Sequence, residues 1–286
     1  MTKLRYFEAL ATAVLISACT QTPDTPIAES GSSNWKVDFF DDFNEFNPEN
    51  WQDQLLWVNS EDQCYLRNGK HSTREVSDGT LKLRVVDLGE KHPCENRNKI
   101  GVQHPDTRYV AGRITSKNRK EFVKGRWTAR LRVPDSGQAG MFPAWWLLGA
   151  YNNEPPVEEP DETVCWPMIG SGEIDIFEHH SDGGPDHYAA RAIVSDGSCG
   201  GGDWQSLQLV KHANLAQYHE YAVEWRGSDL IFLLDGVEVH INKGMGDQFP
   251  EPLFAVLNFA KINDSPMTTS TWTMEVDWVR HESWQE

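Results

Sequence analysis

Basic residues are scarce in this 286-residue chain: 26 Lys and Arg stand against 43 Asp and Glu, leaving a formal net charge of −17. Without basic patches to neutralise phosphates, neither nucleic acid nor an anionic lipid surface is expected as a partner. Cysteine is sparse too: five residues, with no C-x-x-C pair and no Cys/His spacing of a zinc site. Helical periodicity is nearly missing, and only "LVKHANLAQYHEY" suggests a turn or two of helix. The apolar stretch from Ala9 to Ala18 is too short to span a bilayer. Beyond Asn34 there is no second linker, repeat or shift in composition, which argues for one domain.

What the chain does have begins with an export signal. Lys3 and Arg5 precede the apolar stretch and Cys19 follows it, the layout of a secretory leader. The ending "LISAC" resembles the lipobox of bacterial lipoproteins. That resemblance implies that residues 1–19 are a signal peptide and that Cys19 becomes the lipidated first residue. Residues 20–34, rich in Ser, Thr and Pro, read as a flexible tether, and residues 35–286 as the functional domain. The expected location is the cell envelope, anchored to a bacterial membrane only through the lipid, with the chain a monomer. Export leaves Cys64, Cys94, Cys165 and Cys199 in an oxidising compartment. Of the three connectivities open to them, the sequence-local pairs Cys64–Cys94 and Cys165–Cys199 are the expected ones.

Short alternating segments recur through the domain: "KVDFFDDF", "GTLKLRVV", "VAGRITSKN", "GRWTARLRVP", "AWWLLGA", "GEIDIFEH", "HYAARAIVS", "EYAVEWRG", "DLIFLLDGVEVH", "LFAVLNFAK" and "TWTMEVDWVRHE". Most are bounded by Gly, Pro, Asn or Asp and read as strands. Asp235-Gly236 supplies the positive φ angles of a tight hairpin. About a dozen antiparallel strands in one domain predict an all-β, two-sheet antiparallel sandwich.

The chain carries 12 Trp, more than a core of this size needs, and flat indole faces suit the stacking of sugar rings. The segment "SGEIDIFEHH" then sets Glu173, Asp175 and Glu178 among Ile174, Ile176 and Phe177. A buried strand does not carry acids unless something offsets their desolvation. Strict alternation puts Glu173 and Asp175 on one face and Glu178 on the other. A β-bulge near Ile176-Phe177 restores Glu178 to the same side, leaving Ile174 and one of Ile176 or Phe177 toward the core. Three readings of the triplet remain open at this point: paired catalytic carboxylates, a calcium site, or a solvated edge strand. Two close carboxylates with different proton affinities suit glycoside hydrolysis, one as nucleophile and the other as proton donor. Calcium prefers a loop with a tight Gly and carbonyl ligands.

"GEIDIFE" resembles the E-x-D-x-x-E signature of glycoside hydrolase family 16, in the bulged form of laminarinases and marine galactan hydrolases. "VAGRITSKNRKEFVKGRWTARLRVP" and "GMFPAWWLLG" resemble the strands before that signature, and "HEYAVEWRGSDLIFLLDGVEV", "PLFAVLNFA" and "MEVDWVRH" those after it. The resemblance implies a jelly roll with a substrate cleft on the concave sheet, and an endo-acting retaining glycosidase on a polysaccharide. It makes Glu173 the nucleophile, Glu178 the general acid/base and Asp175 the auxiliary carboxylate. Trp146 matches the cleft-floor tryptophan and Trp145 the aromatic beside it, although alternation turns Trp145 to the core. Arg113 and Asn68 match polar cleft residues, and Trp166, Trp204 and His187 flank the signature as further sugar contacts. No cofactor is implied for catalysis. A structural calcium site is implied at Asp277, with Gly79 and Asp42 as companions.

The strand after the signature departs from the laminarinase pattern: "HYAARAIVSDG" carries alanines and Arg191 where a histidine and small polar residues are usual. Arg191 facing the cleft suits a sulfated galactan. The acids Glu154, Glu158, Glu159, Asp161 and Glu162 in the preceding insertion oppose one. A neutral β-1,3-glucan of the laminarin type is the expected substrate. An agar, porphyran or carrageenan galactan is the alternative, and a non-catalytic lipid-anchored glycan-binding protein the reading from another class.

Overall fold

Alternating apolar residues with little helical signal give nineteen strands among the described residues of the computed structural model. It describes residues 34–58, 61–98, 101–150, 172–180, 184–198, 202–204, 208–211 and 213–286. The first strands are β1 Trp35–Asp41, β2 Gln52–Asp53, β3 Cys64–Tyr65, β4 Arg74–Ser77 and β5 Thr80–His92. There follow β6 Thr107–Ala111, β7 Arg113–Thr115, β8 Glu121–Phe122, β9 Gly125–Arg132 and β10 Met141–Gly149. The middle of the chain adds β11 Gly172–Glu178, β12 His187–Ser195, β13 Gly202–Trp204, β14 Gln208–Lys211 and β15 His219–Arg226. The last are β16 Asp229–Leu234, β17 Val237–Asn242, β18 Leu253–Lys261 and β19 Thr271–Trp284.

Two sheets form. One runs β17-β16-β15-β9-β19-β5-β6-β3, with β1 on β19 and β4 on β5; the other runs β13-β12-β11-β10-β18-β7-β2, with β14 on β12 and β8 on β18. All pairings are antiparallel except β3 with β6. One apolar cluster joins the sheets: Leu81, Leu83 and Val85 of β5, Trp127 and Leu131 of β9, and Trp272, Met274 and Val276 of β19 meet Trp145 and Leu147 of β10 and Ala255, Leu257 and Phe259 of β18. On β10 and β18 the intervening residues Ala144, Trp146, Leu148, Phe254 and Val256 make a separate cluster on the opposite face. The period of two thus assigns one face of the second sheet to the core and leaves the other to carry a site. This is the two-sheet antiparallel sandwich that the pattern predicts and the jelly roll that the family resemblance implies.

Asp235 and Gly236 both take positive φ, 50° and 76°, at the β16–β17 turn, as that hairpin requires. The expected helical turn in "LVKHANLAQYHEY" is not formed. Gln208–Lys211 is a strand pairing with β12, and Ala213–Tyr218 is turn and coil. Pairing with a neighbouring strand outweighs a weak local preference there. Cys64 and Cys94 are disulfide-bonded, as expected, while Cys165 and Cys199 lie outside the described residues. The bridge spans 30 residues and packs with Val110. Closing a loop of that length restricts the unfolded chain by about 3 to 4 kcal/mol. The Cys64→Ser/Cys94→Ser variant is therefore expected to lose that much stability, read as a lower denaturant midpoint with a steeper slope, because the freed denatured chain exposes more surface.

Candidate active site

The triplet is brought onto one face by a bulge in β11. Across from β10, Trp145 pairs with Phe177 and Trp146 with Asp175; across from β12, Asp175 pairs with Arg191 and Glu178 with Ala189. Ile176 is the residue without a counterpart, where the bulge is expected. The geometry corrects one detail: Ile176 and Phe177 both join Ile174 in the core, instead of one alone. Two consecutive residues turned inward are what let Glu178 return to the face of Glu173 and Asp175.

Those carboxylates are linked side by side. Asp175 hydrogen-bonds with Glu173 and with Glu178. Asp175 and Glu178 are 1% and 6% exposed, whereas Glu173 is only partly buried. Burial pushes the Glu178 carboxyl well above the usual carboxylate range, the charge of Asp175 adds to the rise, and Arg191 opposes it. Burial also raises Asp175, again against Arg191. The site therefore sets a carboxyl whose proton affinity burial raises next to a more exposed one. Two carboxyls in such different environments have the chemistry to serve as a proton donor and a nucleophile.

Arg191 does not extend as a lone cation. Its Nε donates to Asp175 Oδ2 and its Nη2 to Glu178 Oε2, each at 2.8 Å. Of the two adjacent tryptophans, Trp145 is fully buried in the intersheet core, edge-on to Trp127 at 6.0 Å. The assignment of Trp145 to substrate is thereby corrected: it reinforces the sandwich. Trp146 lies on the acids' face, and its Nε1 donates to Asn258 Oδ1 at 2.7 Å. Arg113 lies over the Trp146 ring, 5.1 Å from its centroid, and donates to Gln54 Oε1. At 1% exposure Arg113 is part of the floor beneath the face, not a surface arginine.

Sequence reading missed the rest of this floor. Asn258 Nδ2 donates to the Tyr65 hydroxyl, which donates to Glu61 Oε1, both at 3.3 Å. Burial pushes Glu61 up to about 7 despite the nearby Arg113 guanidinium. Asn258 had a legible signal, a polar residue in the outward register of "LFAVLNFAK". Gln54, Glu61 and Tyr65 come from irregular chain and a two-residue strand, without periodicity to mark them.

Other expected contacts fall elsewhere. Asn68 is exposed in a left-handed turn (φ 57°), its N–H on Asp53 Oδ2. Asp53 is on β2, four strands from β11, or about 19 Å at ~4.8 Å per strand. His187 is 4% exposed against the ring of His179, so the expected sugar contact there is corrected to a packing role. Trp166, Cys19 and the acids Glu154, Glu158, Glu159, Asp161 and Glu162 lie outside the described residues, as does the Trp204 side chain. At the implied calcium position, Asp277 accepts from Arg130 through Oδ2, Asp42 is bonded by Asn44, and Gly79 takes φ 64°. Among the described residues no group of three His, Cys, Asp or Glu is arranged to hold a metal. A cation at Asp277 would have to displace the Arg130 guanidinium, and nothing in the chemistry below is routed through one.

Residues 59–280 match the model of Glycosyl hydrolases family 16. LamAcat from Zobellia galactanivorans is 27% identical and superposes with a TM-score of 0.71, covering 86% of this chain and 97% of its own. LamA of the same organism, in complex with laminaritriose and laminaritetraose, is 26% identical with a TM-score of 0.71, over 86% and 98% of the two chains. Endo-1,3-1,4-beta-glycanase ExsH of Rhizobium meliloti is 22% identical over 237 residues, 78% of this chain and 45% of the relative. The chain spans 31% and 45% of the two curated relatives it matches.

Proposed function

The chain belongs to glycosyl hydrolases family 16, and from that premise we propose that it cleaves internal β-linkages of a neutral β-1,3-glucan with retention of anomeric configuration. The observation that carries the reading is the acid triplet on one bulged strand, with the proton affinity of Glu178 raised by burial beside the more exposed Glu173. Glu173 attacks the anomeric carbon while Glu178 gives its proton to the departing glycosidic oxygen. Glu178, now ionised, then takes a proton from the water that displaces Glu173. Asp175, hydrogen-bonded to both, holds the two carboxyls in register. Trp146 presents its ring beside them for a sugar to stack on, its orientation fixed through Asn258.

The neutral substrate is favoured over a sulfated galactan by Arg191, whose Nε and Nη2 are directed onto Asp175 and Glu178. Two of the relatives point the same way by name, to laminari-oligosaccharides and a 1,3-1,4-β-glycan. We further propose that the first 19 residues deliver the domain to the cell envelope, with Cys19 carrying the lipid.

Reducing-sugar release is measured on laminarin, lichenan, agarose, porphyran and carrageenan, and proton NMR follows the first-formed product. Release from laminarin with an initial β anomer is the expected result. Turnover confined to the galactans replaces the substrate, an initial α anomer removes the retaining mechanism, and binding without turnover favours the non-catalytic module.

A further inference from the structure

Arg191 is the one charged side chain on the strands flanking the triplet that is turned onto it. By register, the neighbours of Glu173, Asp175 and Glu178 are Leu148, Trp146 and Ala144 on β10, and Ile193, Arg191 and Ala189 on β12. Five of these six do not titrate. Beyond β10, Asn258 on β18 separates Glu178 from Arg113 on β7. The Arg113 guanidinium stacks on Trp146 and Tyr65 and lies near Glu61. Arg191 thus faces three acids from the adjacent strand, its side chain 20% exposed, in two charge-assisted bonds of 2.8 Å. One planar fork spanning two carboxylates fixes their geometry as no point charge does.

Building on the hydrolase reading, we propose that Arg191 is a positioning residue: it orients the Glu178 carboxyl and sets the pH window in which Glu178 is protonated while Glu173 is ionised. The sign follows from charge. A guanidinium favours the ionised form of every carboxyl near it, so it draws the proton affinities of Glu178 and Glu173 downward. The attraction between Arg191 and Glu173 is present as well. The alkaline limb of kcat/KM follows loss of the Glu178 proton, and the acidic limb follows protonation of Glu173. Removing the cation raises both affinities, so the whole bell moves to higher pH. The fork also explains how three acids on one face coexist: part of their mutual repulsion is offset within the strand pair.

The test compares wild type, Arg191→Met and Arg191→Lys on the polysaccharide the wild type hydrolyses, with kcat and KM taken across pH. Arg191→Met is expected to move both limbs upward by roughly one pH unit or more. Arg191→Lys is expected to keep the limbs near their wild-type positions while kcat falls, because the charge remains and the fork is lost. Unmoved limbs in Arg191→Met with kcat reduced would mean a structural role, and unmoved limbs with KM alone raised a substrate contact; either overturns the proposal. A parallel carbon-13 titration of side-chain carboxyls in labelled wild type and Arg191→Met needs no substrate. A raised titration of Glu178 in the variant supports the proposal even if the wild type hydrolyses none of the polysaccharides, in which case only the hydrolase reading fails. An unchanged titration refutes the proposal whatever the activity.

Discussion

Glu173→Gln is expected to abolish turnover on every substrate, whereas Glu178→Gln fails selectively, and the contrast identifies the two roles. In the proposed mechanism Glu173 forms the bond to the anomeric carbon, so its amide would leave no covalent route whatever the leaving group. Glu178 only assists departure, a contribution of about 10² to 10⁴ in rate, and its loss matters most for a poor leaving group such as a sugar hydroxyl. An activated aryl glycoside leaves unaided, so Glu178→Gln still forms the glycosyl intermediate on it and then stalls for want of a base. Azide needs no base. It should rescue Glu178→Ala and yield a β-glycosyl azide, while on Glu173→Ala it should displace the leaving group directly and yield the α product. Thermal denaturation of each variant separates lost chemistry from lost fold. Exchanged products reverse the assignment, and two fully active variants remove the triplet from the active site.

The same strand shows why so much of the site is legible in the sequence. A β-sheet face is encoded at a spacing of two, so Glu173 and Asp175 could be placed together from "GEIDIFE" alone, and the misfit of Glu178 demanded a bulge. The register against β10 places that bulge at Ile176. Long strands such as β12 and β18 begin and end where their Gly, Asn, Asp and Pro neighbours place the boundaries. Legibility fails where pattern fails. The two-residue strands β2, β3 and β8 are too short to alternate, and they exist because a neighbouring strand accepts them. The floor made by Gln54, Glu61, Tyr65, Arg113 and Asn258 depends on contacts as distant as the 193 residues between Tyr65 and Asn258. No local window contains that information. Arg191 is an intermediate case: its position was visible as a departure from the family pattern, but the acids that hold it become evident only from the β11–β12 register.

The largest stability effect is expected at Trp145→Ala, next to a tryptophan whose loss has a different consequence. Trp145 is fully buried between the sheets against Trp127, and a large aromatic removed from such a position leaves a cavity that the surrounding strands fill incompletely. The cost is about 3 to 5 kcal/mol, read as a lower denaturant midpoint and Tm. KM and the pH profile of the protein that remains folded should stay as in wild type, because no atom of Trp145 faces the acids. Trp146→Ala acts on the opposite face. It removes the ring under Arg113 and the N–H that Asn258 accepts, so its main effect should fall on kcat/KM, with the smaller stability loss of a residue outside the intersheet core. Trp146→Phe separates the two contributions by keeping a flat ring while giving up the hydrogen bond, and is expected to recover part of the affinity. If Trp146→Ala destabilises as much as Trp145→Ala and leaves kcat/KM unchanged, the assignment of the two faces of β10 is wrong, and the sugar-binding surface must be sought elsewhere.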